Sequence, residues 1–461
     1  MARKVVIIGA GLGGLACGAL LAQKGADVLI LEAQPVVGGR SMAFERDGFK
    51  CDFGVHMFSR GKSGPHGEMT GRTSGGLKWS VKNPAARVMG RAEFDFPLDL
   101  KPLWQTVKVA QKLRIGLINY PGAWRFIRAL LTGDLAGEND RVTLYDFVKA
   151  HTKDREVHAF ANCVCQLYFA LDYRQASAGE FIHCFSRMFA DADFGYPMGG
   201  CQAIPDSFRK SLELYGGRIL FSETATEIVS RAGMVAGVKT ESGFFPADVV
   251  ISNAGAARTL DLAGREAMGE ETARRIPKMS YSNAYVTIKY ALNKPVIPYP
   301  VVFYMPKGDP VTIFDYIQNK SVPDDPFIFM PVPSNHDPSL APPGKQLVIA
   351  GTAAPPRSSK ALGNAILDKV HETVLRLFPG FSDSIIWETR STRSDVTALT
   401  RHPAGEAIGL GQTPDQVGSL RLKHETALLG LYLVGADAGS RGIGTELAVA
   451  SGIALADKIR L

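Results

Sequence analysis

The sequence predicts an α/β protein in which a Rossmann-like, parallel-sheet nucleotide domain is interrupted by an inserted α+β domain. Three observations predict it. A glycine-rich turn joins an apolar run to a helical pattern near the N-terminus, and a second apolar run ends in an acid about twenty residues further on. A further strand, glycine loop and helix pattern closes the chain over residues 431–459.

The first element is KVVIIG (4–9), a short unbroken apolar run of the kind that forms a buried parallel strand. Gly9, Gly11, Leu12, Gly13 and Gly14 then fill the GxGxxG pattern. Gly9 permits the tight turn, Gly11 admits a pyrophosphate close to the backbone, and Gly14 lets helix and strand approach. The helix is predicted over Leu15 to Lys24, with Gly25 ending it, and its N-terminus offers free N–H groups to phosphates. A second strand finishes at Glu32, followed by Ala33, where a carboxylate can accept both ribose hydroxyls of an adenosine. Residues 5–22 carry no charge, as a signal peptide or membrane span would. Their clustered glycines and the strand that follows at once favour strand, turn and helix instead.

After Glu32 the chain reads AQPVVGGRSMAF, with Gly38, Gly39, Arg40 and Ser41 in sequence. This segment resembles the GGR[SA] signature of a flavoprotein group that spans phytoene desaturases, carotenoid isomerases, retinol saturases and flavin amine oxidases. The resemblance implies FAD as cofactor. In physical terms the two glycines admit backbone contact, and Arg40 offers a fixed cationic fork to the pyrophosphate. The resemblance continues over nearly the whole chain. Residues 195–228 look like the carotenoid-desaturase pattern of a P-x-GG loop, a helix near Ile204 to Tyr215, a strand and a T-[VA]-x-x-I segment, which makes Ala225 the matching main-chain adenine contact. The closing LYLVGADAGSRGIGTELAVASGIALADKI resembles the family's flavin motif. There Gly435 belongs to the glycine loop, Asp437 matches the ribityl-binding carboxylate, and Ile443, Gly444 and Thr445 match the helix N-terminus at the pyrimidine end of the flavin. A helix dipole at that end favours the anionic reduced flavin. Gly435-Ala436-Asp437 carries one residue more than many members, and Glu446 is a second departure, a carboxylate close to the flavin or an ordinary first-turn acid.

These landmarks divide the chain. Residues 1–90, 196–260 and 426–461 are assigned to the FAD-binding domain, and 91–195 and 261–425 to the substrate domain, the first insertion largely helical and the second containing the strands AYVTIKYAL and QLVIAGTA. No second GxGxxG follows a strand, which disfavours a nicotinamide domain. The length of 461 residues suits two or three domains, and 46% hydrophobic with 21% charged residues excludes disordered, collagen-like and coiled-coil classes. Six cysteines without zinc-type spacing and nine scattered histidines predict a reduced, cytoplasmic protein with no metal site.

The net charge is +7, and residues 101–133 hold Lys101, Lys108, Lys112, Arg114, Arg125 and Arg128 with no acid. Leu103, Val107, Ala110, Leu113 and Leu117 keep helical spacing, Pro121-Gly122 is predicted to break the run, and Trp124, Ile127, Leu130 and Leu131 resume it. Such a segment is either a membrane-facing hairpin through which an apolar substrate enters, or a helical cap with a solvated basic face. Nucleic acid is not expected, since no groove-reading motif accompanies the charge.

Flavin redox chemistry needs a group that handles a proton beside the reacting carbon or nitrogen. Lys289 sits on a strand where flavin amine oxidases place a lysine that holds a water at N5. His56 and Arg60 follow the signature, and His402 and Glu406 match a segment lining the family's substrate tunnel. The resemblance implies an FAD-dependent oxidoreductase acting on carbon–carbon bonds of an apolar, isoprenoid or carotenoid-like molecule. Its alternatives are a flavin amine oxidase, which Lys289 favours, and a prenyl-binding protein of the Rab GDP-dissociation-inhibitor type, which the intact FAD motifs disfavour.

Overall fold

Val5 and Ile7 point to one face of the first strand and Val6 and Ile8 to the other, and all four are buried, so Lys4–Ile8 needs a sheet covered on both sides. In the computed structural model, which describes residues 2–402 and 404–460, that strand is the centre of a five-stranded parallel sheet. The strand order is Leu431–Leu433, Val249–Ser252, Lys4–Ile8, Asp27–Leu31 and Arg218–Leu220. Met1 and Leu461, the outer bounds of the predicted FAD-binding domain, and Pro403, between His402 and Glu406, lie outside the described residues. Val5 and Ile7 pack under the helices Leu12–Gln23, Ala203–Leu214 and Gly444–Lys458. Val6 and Ile8 pack against Ile228 and Val238 of an antiparallel ribbon formed by Ala225–Arg231, Met234–Thr240 and Phe244–Pro246. Three chain segments far apart in sequence therefore build one nucleotide-type domain.

The helix after the first turn begins at Leu12, ahead of the predicted Leu15, because Gly13 and Gly14 themselves form its first turn. Gly14 cannot be anything larger: a Cβ there would lie 2.3 Å from the carbonyl oxygen of Gly9.

A second, seven-stranded sheet runs Ile385–Ser391, Ala284–Leu292, Gln346–Ala354, Ile328–Pro331, Val301–Met305, Ala86–Gly90, Phe94–Phe96. Its neighbours are antiparallel except Val301–Met305 with Ala86–Gly90. Ala86–Gly90 was expected on the FAD side of the boundary at residue 90; its ladder hydrogen bonds instead join it to the inserted domain's sheet. The first insertion supplies helices Leu103–Lys112, Tyr120–Thr132, Leu144–His151, Arg155–Phe169 and Ala178–Asp191. Thr143, Asp154 and Ser177 cap the last three with side-chain oxygens on first-turn amides. The hairpin breaks at Leu113–Gly116, where Arg114 is left-handed, and not at Pro121-Gly122. Pro121 falls in the first turn of the second helix, where its missing N–H costs nothing. No helix among the described residues is long and apolar enough to cross a membrane.

Candidate active site

A long cleft follows the C-terminal edge of the parallel sheet, where Gly9, Glu32, Asn253 and Val434 emerge from four strands. Gly11, Leu12, Gly13, Ala33, Gly38, Gly39, Arg40, Ser41 and Ala225 line it. Gly14 stands outside the lining and serves helix packing alone. Glu32 is buried, with Oε2 accepting the Ala10 N–H (2.7 Å) and Oε1 the Gln34 N–H (2.8 Å), so its carboxylate is fixed with lone pairs to spare. Burial raises its pKa, and those amides together with Arg401 oppose the rise. Arg40 has a buried Nη1 with no hydrogen-bond partner, an orphaned cationic donor at the glycine loop. These features fit a pyrophosphate and an adenosine ribose. Asn253, which sequence reasoning missed, completes the turn: its Nδ2 donates to the Gly9 carbonyl (3.3 Å), and a Cβ on Gly11 would come within 2.7 Å of that same Nδ2. The signal was a polar residue directly after the strand ADVVIS.

At the far end of the cleft, Gly435, Asp437, Ile443, Gly444 and Thr445 line the wall. Asp437 accepts the Ala256 N–H (2.9 Å) and the Leu410 N–H (3.3 Å), so this carboxylate, expected to meet only the ribityl chain, also ties three backbone segments together. The loop before Gly444 is anchored from the inserted domain: the Gly442 N–H donates to the fully buried Glu180 (2.6 Å), Arg441 pairs with Asp140 (2.5 Å) and Glu180 (3.1 Å), and buried Arg421 lies 3.6 Å from Glu180. No spacing in the sequence announces this network.

The five candidates for chemistry separate. His56 lines the cleft, its Nδ1 buried and unpaired, and burial lowers its pKa against the opposing charge of Asp52. Asp52, His56 and Cys201 have polar atoms within 4.8 Å of one another. Asp52 also accepts the Cys201 N–H (2.9 Å), the Cys201 thiol (2.9 Å) and the Tyr196 hydroxyl. Arg60 leaves the cleft: its Nε donates to Asp191 Oδ2 at 2.6 Å. His402 and Glu406 do line the cleft, with Nδ1 2.7 Å from Oε1. Burial works to raise the Glu406 pKa, but His402 and the charge of Arg40 outweigh it and hold the carboxyl below its usual range. Lys289 is neither a surface lysine nor a cleft residue. It is fully buried, donating to Thr287 Oγ1 and Ser391 Oγ at 2.7 Å each, and it is those two residues that line the cleft.

A second cavity of about 540 Å³ adjoins the first, and its walls are almost wholly apolar. Val88, Phe96 and Phe303 come from the large sheet, Phe160 and Phe185 from the helical insertion, and Trp124 from the basic hairpin. Met57, Leu167 and Tyr168 line both cavities and mark where they meet.

A nucleotide cleft with GxGxxG, a ribose carboxylate, a cationic fork and a helix N-terminus, opening onto an apolar chamber, defines an FAD-dependent oxidoreductase. The chain belongs to the flavin-containing amine oxidoreductase family, whose profile matches residues 12–460. It is 26% identical to the zeta-carotene-forming phytoene desaturase of Myxococcus xanthus, over 94% of this chain and 89% of that protein. To the chloroplastic prolycopene isomerase of Daucus carota it is 25% identical, over 98% and 79%. A solved oxidoreductase from Methanosarcina mazei superposes with a TM-score of 0.78 at 22% identity, covering 98% of this chain and all of that one.

Proposed function

We propose that the protein carries out hydride transfer or isomerisation at carbon–carbon bonds of an apolar, isoprenoid-like molecule held in the second cavity. The observation that carries this reading is the junction at Met57, Leu167 and Tyr168, where a chamber without polar anchors meets the FAD cleft. When bound, FAD supplies hydride exchange at N5. The chain's own residues do the rest. Arg40 and the glycine loop hold the pyrophosphate, and the aromatic walls orient by shape a molecule that offers nothing to hydrogen-bond. The names of the relatives, a phytoene desaturase and a prolycopene isomerase, agree with a long unsaturated hydrocarbon as substrate.

Amine oxidation loses its main support, since the Lys289 ammonium stops behind Thr287 and Ser391. Delivery from a membrane surface fits the hairpin, where Leu117 and Ile118 are 80% and 90% exposed beside Lys112 and Arg114. The test is anaerobic: holoenzyme is mixed with phytoene, prolycopene or a panel of primary and secondary amines, and flavin absorbance and product are followed. Conversion of a polyene is expected. Flavin bleaching by an amine, with both polyenes inert, would overturn the assignment.

A further inference from the structure

We propose that Glu446 is the proton acceptor of this site, acting where the FAD cleft meets the apolar cavity; the proposal rests on the carbon–carbon reading above. Glu446 stands in the first turn of the helix Gly444–Lys458 and lines the cleft. Its Oε1 accepts the Ser59 hydroxyl at 2.6 Å. Ser59 lines the same cleft, as does Tyr168, which also belongs to the cavity wall and whose hydroxyl is occupied by Met188 Sδ at 2.8 Å. At the junction, then, Met57 and Leu167 are apolar, Tyr168 donates to the Met188 sulfur and lies within hydrogen-bond reach of Ser59, and Glu446 supplies the carboxylate.

Carbon–carbon redox chemistry requires such a group. Forming a double bond takes a hydride from one carbon, its electron pair reducing FAD, and a proton from the next carbon. That second C–H bond breaks, its electrons become the π bond, and an O–H bond forms on the carboxylate. Saturation runs the same transfer backwards, with the carboxylic acid giving the proton. The other cleft groups are placed for other work. His56 lies beside Asp52 and Cys201, polar atoms of the three within 4.8 Å of one another, His402 and Glu406 engage each other, and Lys289 is bonded to Thr287 and Ser391 behind the lining.

Burial raises the Glu446 pKa, against the Ser59 hydrogen bond and the charge of Arg60. Arg60 is itself paired with Asp191, and Tyr168 and Cys184 are the remaining titratable groups that face the carboxyl. A base whose pKa lies nearer the working pH is the more effective one.

The experiment compares wild-type, Glu446→Gln, Glu446→Asp and Ser59→Ala holoenzymes. Infrared difference spectra across pH follow the carboxylic C=O stretch, and anaerobic mixing with phytoene or prolycopene follows the reaction. Wild type is expected to show a carboxyl titrating above the ordinary range, absent in Glu446→Gln and shifted further up in Ser59→Ala, which loses a hydrogen bond to the charged form. Glu446→Gln should keep its FAD and lose at least about 100-fold in rate, with part of it restored by aspartate. A wild-type protein active on a polyene whose Glu446→Gln variant stays within tenfold, or whose Glu446 titrates in the ordinary range, overturns the proposal alone. A wild-type protein inert to both polyenes overturns the carbon–carbon reading and the proposal with it.

Discussion

Glu32 accepts two buried backbone amides besides facing the cleft, so Glu32→Ala removes a ribose partner and also strands the N–H groups of Ala10 and Gln34. Each stranded group costs about 1–3 kcal/mol. The variant should purify with markedly less flavin, measured as FAD released per mole of denatured protein; wild-type content would refute the assignment. Release itself is expected, since among the described residues no cysteine lines the cleft and neither His56 nor His402, which do line it, stands at an obvious flavin attachment motif. Lys289 gives a pH-dependent prediction. Burial pushes its pKa down to about 7, against roughly 10.4 in an unfolded chain. Between those values the unfolded chain binds more protons, so stability rises with pH by up to about 1.4 kcal/mol per unit from this group. Lys289→Met should therefore gain on wild type as pH falls from 10 to 7, with no further gain below, read from urea midpoints; a pH-independent difference would exclude the linkage. Reoxidation of reduced enzyme by oxygen should change less than tenfold, below about 1.4 kcal/mol in barrier. The residue scale is where sequence reasoning was least reliable. Resemblance to flavin amine oxidases singled out Lys289 on the strand Ala284–Leu292, but it is Thr287 and its ladder partner Ser391 that line the cleft, with Lys289 bonded to both behind them.

At the scale of elements, the hairpin 103–132 has two jobs in one amphipathic pattern. Its inner residues wall the apolar cavity, while Leu103, Trp104, Leu117 and Ile118 are exposed in a segment whose own charged residues are all basic. Binding to anionic vesicles should weaken as salt rises, each base near the surface contributing about 1 kcal/mol, and charge reversal at Lys108, Lys112 and Arg125 should abolish it in a sedimentation assay. A wild type that ignores such vesicles at low salt leaves the hairpin as a cap. A second element-scale prediction concerns the strap from helix Ala178–Asp191 to the flavin loop. Glu180→Ala leaves buried Arg421 without its carboxylate, a loss of about 3–5 kcal/mol, while Arg441 keeps Asp140, and it frees the Gly442 amide. It should lower both the melting temperature and FAD retention, and a change in neither would show the strap to be idle. The helices and strands of the cofactor domain were legible because their apolar runs and glycines obey local rules. The hairpin break was not, because a proline in a helix's first turn and a left-handed Arg114 look alike in a sequence.

Across the whole molecule, the cofactor domain is assembled from distant segments, and motifs at both chain ends gave it away before any contact was known. The large sheet was legible only in pieces: Ala284–Leu292 and Gln346–Ala354 read as strands, but the parallel pairing of Val301–Met305 with Ala86–Gly90 spans over two hundred residues and leaves no local trace. The chamber that this sheet forms with the helical insertion has a calorimetric consequence. Almost wholly apolar walls exchange water contact for hydrocarbon contact, so loading the chamber removes apolar surface from water on both partners and little else. Titration calorimetry of an apolar ligand should therefore give a strongly negative heat-capacity change that grows with ligand length, whatever the balance of enthalpy and entropy at one temperature. A ligand that binds with no such change is sitting somewhere other than this chamber.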